Sequence, residues 1–120
     1  MRERDIESWA GNQAKKAGWW HRKFKAPGRR SAPDRVFART GRVFFVEFKA
    51  TGEKPTELQE DEHKQMRAAG LTVYWTDCRE GFKFILEGEG NVIPFSDWAA
   101  FPGYGVTLEP DGKFRIHAVE

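Results

Sequence analysis

Apolar and polar positions along the 120 residues change period from segment to segment, and each period predicts an element. Residues 43–46 form an unbroken apolar run, Val43, Phe44, Phe45 and Val46, with Thr40 and Gly41 before it and Thr51 and Gly52 after it. β-branched and aromatic residues between turn signals predict a buried strand. Residues 32–38 predict a second strand, and the short turn at Thr40 and Gly41 makes the two antiparallel neighbours. Residues 2–17 read as a helix with Ile6, Trp9, Ala10, Gln13 and Ala17 on one face. Acidic residues load its first turn, Lys15 and Lys16 its last, and Gly18 is its stop. Residues 19–25 alternate, with Trp20, Arg22 and Phe24 on one side, and their lysines suit an edge strand.

Residues 56–69 predict a second helix, with Thr56 and Gln59 at capping-box spacing and Gly70 at its end. Leu58, Met66 and Ala69 form its narrow inner stripe, and His63 is expected in solvent. Residues 71–76 are a strong strand, which a β-α-β crossover sets parallel to the 43–46 strand. Past Cys78 the pattern predicts short strands at 82–86 and 92–95 around Gly88 to Asn91, and a helical turn at 96–101 capped by Ser96. A hairpin of residues 106–109 and 113–119 follows, around Pro110, Asp111 and Gly112. The expected architecture is an α/β fold. A mixed central sheet flanked by helices, in the order α-β-β-β-α-β over residues 1–78, is followed by a β-rich extension over residues 79–120 in the same single domain. That extension would cover the sheet, form a dimer surface or bias substrate choice.

A chain of this length makes one domain with a real core. The 14% aromatic content and five Trp exclude a disordered chain. One cysteine, Cys78, excludes an internal disulfide framework and a multi-cysteine metal site. Without a signal peptide or a membrane-length apolar run, a cytoplasmic setting is expected. The net charge of +2 hides an asymmetry: residues 1–54 carry 14 Lys/Arg against 6 Asp/Glu, and residues 55–120 carry 6 against 12. A concentrated positive field suggests a polyanionic partner such as nucleic acid.

That basic half also holds the candidate chemistry. Glu47 and Lys49 point to one face at the end of the 43–46 strand, because strand residues two apart share a face. Asp34, directly after Pro33, starts the neighbouring strand and so comes opposite them. Charges in such a place are costly unless paired or bound to a metal. A lone Glu-x-Lys would be read as the solvated end of an amphipathic strand. Two carboxylates and an amine converging at one end of a sheet suggest more. Arg29 and Arg30, on the loop leading to Asp34, are placed to grip phosphates, with Arg35 and Lys54 as further basic candidates. His21 is isolated and is not expected to bind metal.

Pro33 and Asp34, followed by Glu47, Phe48 and Lys49, resemble the PD-(D/E)xK nuclease motif. The wider set of Gly28, Arg29, Arg30, Asp34, Glu47, Lys49, Leu58 and Gln59 is similar to the VRR-NUC branch, including its small phage members, over roughly residues 5 to 77. The resemblance implies a restriction-endonuclease-like sheet and a Mg²⁺ or Mn²⁺ ion held by Asp34, Glu47 and the carbonyl of Phe48. It also implies Lys49 beside the attacking water, a contribution from a first-helix glutamate at Glu7, with Glu3 second, and a site glutamine at Gln59. Dipole and cap roles alone would equally explain Glu7 and Gln59. The implied activity is a metal-dependent DNA endonuclease, selective for branched or junction DNA and acting as a homodimer. The alternative is a nucleic-acid-binding module that keeps the fold without cutting.

Overall fold

The computed structural model describes residues 1–25, 32–89 and 105–117. The elements run α1 (Glu3–Lys16), β1 (Trp20–Lys23), β2 (Arg35–Arg39), β3 (Arg42–Phe48), α2 (Glu57–Ala68), β4 (Val73–Thr76), α3 (Arg79–Glu89), β5 (Gly105–Leu108) and β6 (Phe114–His117). They build one six-stranded mixed sheet in the order β1-β2-β3-β4-β5-β6. Neighbours pair antiparallel except β3 with β4 and β4 with β5, which are parallel. The expected α/β architecture is therefore present.

Local chemistry explains the central hairpin. Thr40 and Gly41 both have positive φ, 42° and 80°, the backbone of a two-residue turn matched to strand twist. That turn sets Arg39 opposite Arg42 and Arg35 opposite Val46. Along β3 every residue from Phe44 to Phe48 is buried, as a strand covered on both faces requires. One face, Phe44, Val46 and Phe48, joins the main core with Phe37, Tyr74, Ile6, Ala10 and Ala14 of α1, and Phe82, Ile85 and Leu86 of α3. Phe37 lies 5.4 Å from Phe44 and 5.2 Å from Phe82, ring centre to ring centre. Each such side chain contributes about 1.5–3 kcal/mol on burial. α2 approaches the opposite face, to which Glu47 points.

Several elements differ from the sequence reading. Residues 82–86 are not a strand but the middle of α3. Phe82, Ile85 and Leu86 are its buried apolar side chains among the described residues. Their i, i+3, i+4 spacing is helical, but so short an apolar segment, in which Lys83 between Phe82 and Phe84 also gives strand-like alternation, is ambiguous by period alone. Gly81 permits the helix to sit close: a Cβ there would strike Thr76 Oγ1 and come within 2.7 Å of the Val106 carbonyl. α2 also turns another face inward. Leu58 is 76% exposed and Ala69 is exposed, while His63, expected in solvent, is 2% exposed. The inward face of α2 carries Gln59 and His63, which meet Lys49 and Glu47 at the β3 end. In α1 the buried set is Ile6, Ala10, Gly11 and Ala14, and Ala17 lies outside it. β1 is an edge strand, as its lysines suggested, but shorter, with Trp19 buried beside Phe44 and Trp20 half exposed.

The last hairpin forms around Gly112 (φ 83°) and pairs Leu108 with Phe114. β5 prolongs the central sheet beside β4, where Thr76 Oγ1 donates to the Val106 carbonyl at 2.7 Å. The expected strand at 92–95, the turn at 96–101 and the loop carrying Arg29 and Arg30 lie outside the described residues. Among the described residues, no helix is long and apolar enough to cross a membrane.

Candidate active site

The hairpin register that sets Arg35 against Val46 puts Asp34 against Glu47. The Phe48 N–H donates to Asp34 Oδ2 at 2.7 Å, fixing the Asp34 carboxyl across the strand end. The first turn of α1 ends at the same place. Glu3, Asp34 and Glu47 each present a carboxylate oxygen, all within 4.8 Å of one another. The first-helix glutamate in this cluster is thus Glu3, the second choice of the sequence reading. Glu7, the first choice, lines the adjoining cavity with Arg2, Glu3, Arg4 and Asp34, but its Oε1 is 3.6 Å from Arg35 Nε. Both positions sit on one face of α1, four residues apart, so spacing alone did not choose between them.

Burial governs the electrostatics. Glu47 is 1% exposed. Desolvation first, then the neighbouring Glu47 charge and a carboxyl contact with Glu47, push Asp34 up to about 8, outweighing the Phe48 N–H that favours its ionised form. Desolvation raises Glu47 to about 7, against the opposing pull of the Asp34 hydrogen bond and of Lys49. Glu3 is raised too, by burial and then by Asp34. Carboxyls crowded at a partly buried strand end hold protons more tightly unless positive charge joins them. An all-oxygen donor set with this spacing fits a hard divalent cation such as Mg²⁺ or Mn²⁺.

Lys49 is 8% exposed, and its Nζ donates to Gln59 Oε1 at 3.2 Å. The same Oε1 accepts the Thr56 N–H at 2.9 Å, and the Gln59 N–H returns a bond to Thr56 Oγ1 at 3.2 Å. Cap and site readings of Gln59 therefore coexist: the capping box holds the oxygen that receives Lys49. The carbonyl-ligand role expected of Phe48 is separate from the contact observed, which is through its N–H. Behind β3, the Gly52 N–H donates to Asp77 Oδ2 at 2.9 Å and Thr51 Oγ1 to the Asp77 carbonyl at 3.0 Å. These bonds anchor the loop on which Lys54 lies exposed.

Arg35 is the residue whose placement departs most from its expected part. Its side chain is 14% exposed, held between Glu7 and His21 Nδ1, the latter at 3.1 Å. Burial and then the Arg35 charge lower the His21 pKa, keeping the imidazole neutral and able to accept. Arg35 is an internal strut, and its alternation inward from β2 was not legible without the helix that covers it. Arg29 and Arg30 lie outside the described residues. Sequence reasoning missed His63, whose Nε2 lies 3.6 Å from Glu47 Oε1. Burial, then Arg67, pushes the His63 pKa down to about 4. The available signal was its position four residues after Gln59, on the same helix face.

No family model matches this chain. Over 81 residues, 67% of this chain and 87% of the relative, it is 42% identical to the "Putative nuclease p44" of Acyrthosiphon pisum secondary endosymbiont phage 1. A solved structure described as a VRR_NUC domain matches the fold with a TM-score of 0.65 and 28% identity, covering 71% of this chain and 94% of that one. With a paired strand end that gathers Asp34, Glu47 and Lys49, and with these two likenesses, the chain belongs to the VRR-NUC family of nucleases.

Proposed function

We propose that the protein is a Mg²⁺- or Mn²⁺-dependent DNA endonuclease that hydrolyses phosphodiester bonds. The observation that carries this reading is the meeting of Asp34, Glu47 and Glu3 within 4.8 Å, with Lys49 two residues along the strand from Glu47. Asp34, Glu47 and the Phe48 carbonyl would hold the ion, with Glu3 as a third carboxylate. A divalent cation there supplies positive charge that polarises the phosphate and makes water easier to deprotonate. Lys49 orients the attacking water and counters charge developing on the phosphate. Gln59 fixes the Lys49 ammonium, and Glu7, steadied by Arg35, lines the approach. Arg29, Arg30 and Lys54 grip the flanking phosphates, joined by exposed Arg4 at the cavity rim. Arg35 has no part in that grip, since its charge is engaged internally.

The family resemblance extends the proposal to branched duplexes and to a homodimer presenting two sites to one junction. The test is cleavage of supercoiled plasmid and of a four-way junction with Mg²⁺, Mn²⁺ or EDTA. Nicking in either metal and none in EDTA is expected. Binding without cutting under every divalent metal would favour the non-catalytic module instead. Sedimentation at micromolar concentration, with and without a junction, tests the dimer.

A further inference from the structure

Glu47 Oε1 and His63 Nε2 are both buried without a hydrogen-bond partner, and they face each other at 3.6 Å. Two buried polar atoms left this way cost about 1–3 kcal/mol each, so their juxtaposition calls for a reason. The geometry of α2 against β3 supplies one. Glu47 and Lys49 are two residues apart on a strand, about 6.6 Å of rise, and Gln59 and His63 are four apart on a helix, about 6 Å. The spacings match, so one face of α2 addresses both charged residues: Gln59 Oε1 receives Lys49 Nζ, and His63 stands over Glu47. An ionised imidazole is disfavoured in this dry place, whereas a neutral ring protonated on Nε2 offers the N–H that a carboxylate accepts. Ordinary bond length is about 2.7–3.2 Å, so a small torsional adjustment of the two side chains closes the gap.

We propose that His63 is a positioning residue for Glu47, its Nε2–H donating to Oε1 so that the other carboxylate oxygen is held toward Asp34 and Glu3. This rests on the reading of Glu47 as a metal ligand. Partners of this kind orient a ligand and change metal affinity without touching the ion.

The test combines calorimetric titration with MnCl₂ of the wild-type protein, His63→Leu, His63→Gln and Glu47→Gln with ¹⁵N NMR of the metal-free wild type. His63→Leu is expected to weaken Mn²⁺ binding about 10- to 100-fold. His63→Gln, whose amide places a donor near the former Nε2, is expected to recover most of it. The NMR spectrum is expected to show the Nε2–H tautomer with a downfield, slowly exchanging proton. Wild-type affinity in a folded His63→Leu, or a proton on Nδ1 instead of Nε2, would overturn the inference. If His63→Leu does not fold, the tautomer and the His63→Gln affinity decide. Either negative result, with tight binding by the wild type and loss in Glu47→Gln, leaves the metal reading of Glu47 standing. Absence of Mn²⁺ binding by the wild type would remove that reading and this inference together.

Discussion

β3 has two unlike faces, and the contrast shows how the molecule divides stability from chemistry. Phe44, Val46 and Phe48 lie in an apolar cluster with residues of α1 and α3. One residue out of phase, Glu47 and Lys49 are equally removed from water, at 1% and 8% exposure, but rest against Gln59 and His63 instead. The first face gains free energy from burial. The second spends some of it, since crowded carboxyls with raised pKa values and an unpartnered oxygen are unfavourable until a counter-charge arrives. A strand that is secure on one side can hold strained chemistry on the other.

The sharpest way to separate the faces is Lys49→Ala. Cleavage is expected to fall at least about 10³-fold, about 4 kcal/mol of barrier, with junction binding and melting temperature little changed, as gel-shift and thermal denaturation would show. Loss of the fold instead would mean that Lys49 belongs to the structural side of the strand. Phe44→Ala makes the opposite cut. Urea unfolding should report a loss of about 3–5 kcal/mol, and any activity left in the folded fraction should have an unchanged metal requirement.

A pH series tests the cost carried by the chemical face. Asp34 and Glu47 titrate near 8 and near 7 in the folded protein, against ordinary values of 3.8 and 4.5. The metal-free fold therefore binds more protons than the unfolded chain in that window, and its stability falls as pH rises through it. His63, held near 4 against an ordinary 6.5, acts oppositely, losing stability as pH drops below 6.5. Above 6.5 the carboxyls act alone. Between pH 6.5 and 8 the EDTA-treated protein is expected to lose about 1–2 kcal/mol, and MnCl₂ to restore it. A flat melting curve across that range would show that the site carries no such cost. The smallest effect is expected from Thr56→Ala, which removes the Oγ1 that accepts the Gln59 N–H, a cap worth about 1 kcal/mol. It frays the turn that carries the Gln59 oxygen Lys49 uses, though the Thr56 N–H to that oxygen is kept. A few-fold slower cleavage should accompany the stability loss, and stability loss alone would make the Gln59 contact incidental.

Much of this is legible in the sequence. The hairpin of β2 and β3 follows from an apolar run, a turn at Thr40 and Gly41 and the period of a strand, all local, and once formed it leaves Asp34 no place but opposite Glu47. α2 was legible through its capping box, and the last hairpin through Pro110, Asp111 and Gly112. Three features were decided only by how distant parts pack. Residues 82–86 are helical because Phe82, Ile85 and Leu86 pack together into the core beside α1, and four apolar residues interrupted by Lys83 do not announce a period. Glu3 reaches the carboxyl cluster while Glu7 is drawn to Arg35, because the position of α1 along its own axis relative to β3 settles which turn meets the strand end. His63 is buried because the face of α2 packed toward β3 is the one that carries it and Gln59, while Leu58 and Ala69 of the apolar stripe are left exposed. Local bonding rules are written in neighbouring residues, so the chain alone determined the β2–β3 hairpin, α2, the last hairpin and the approach of Asp34 to Glu47 and Lys49, but not α3. Contacts across tens of residues depend on the balance of burial and desolvation over the whole fold, and only the tertiary structure could strike that balance.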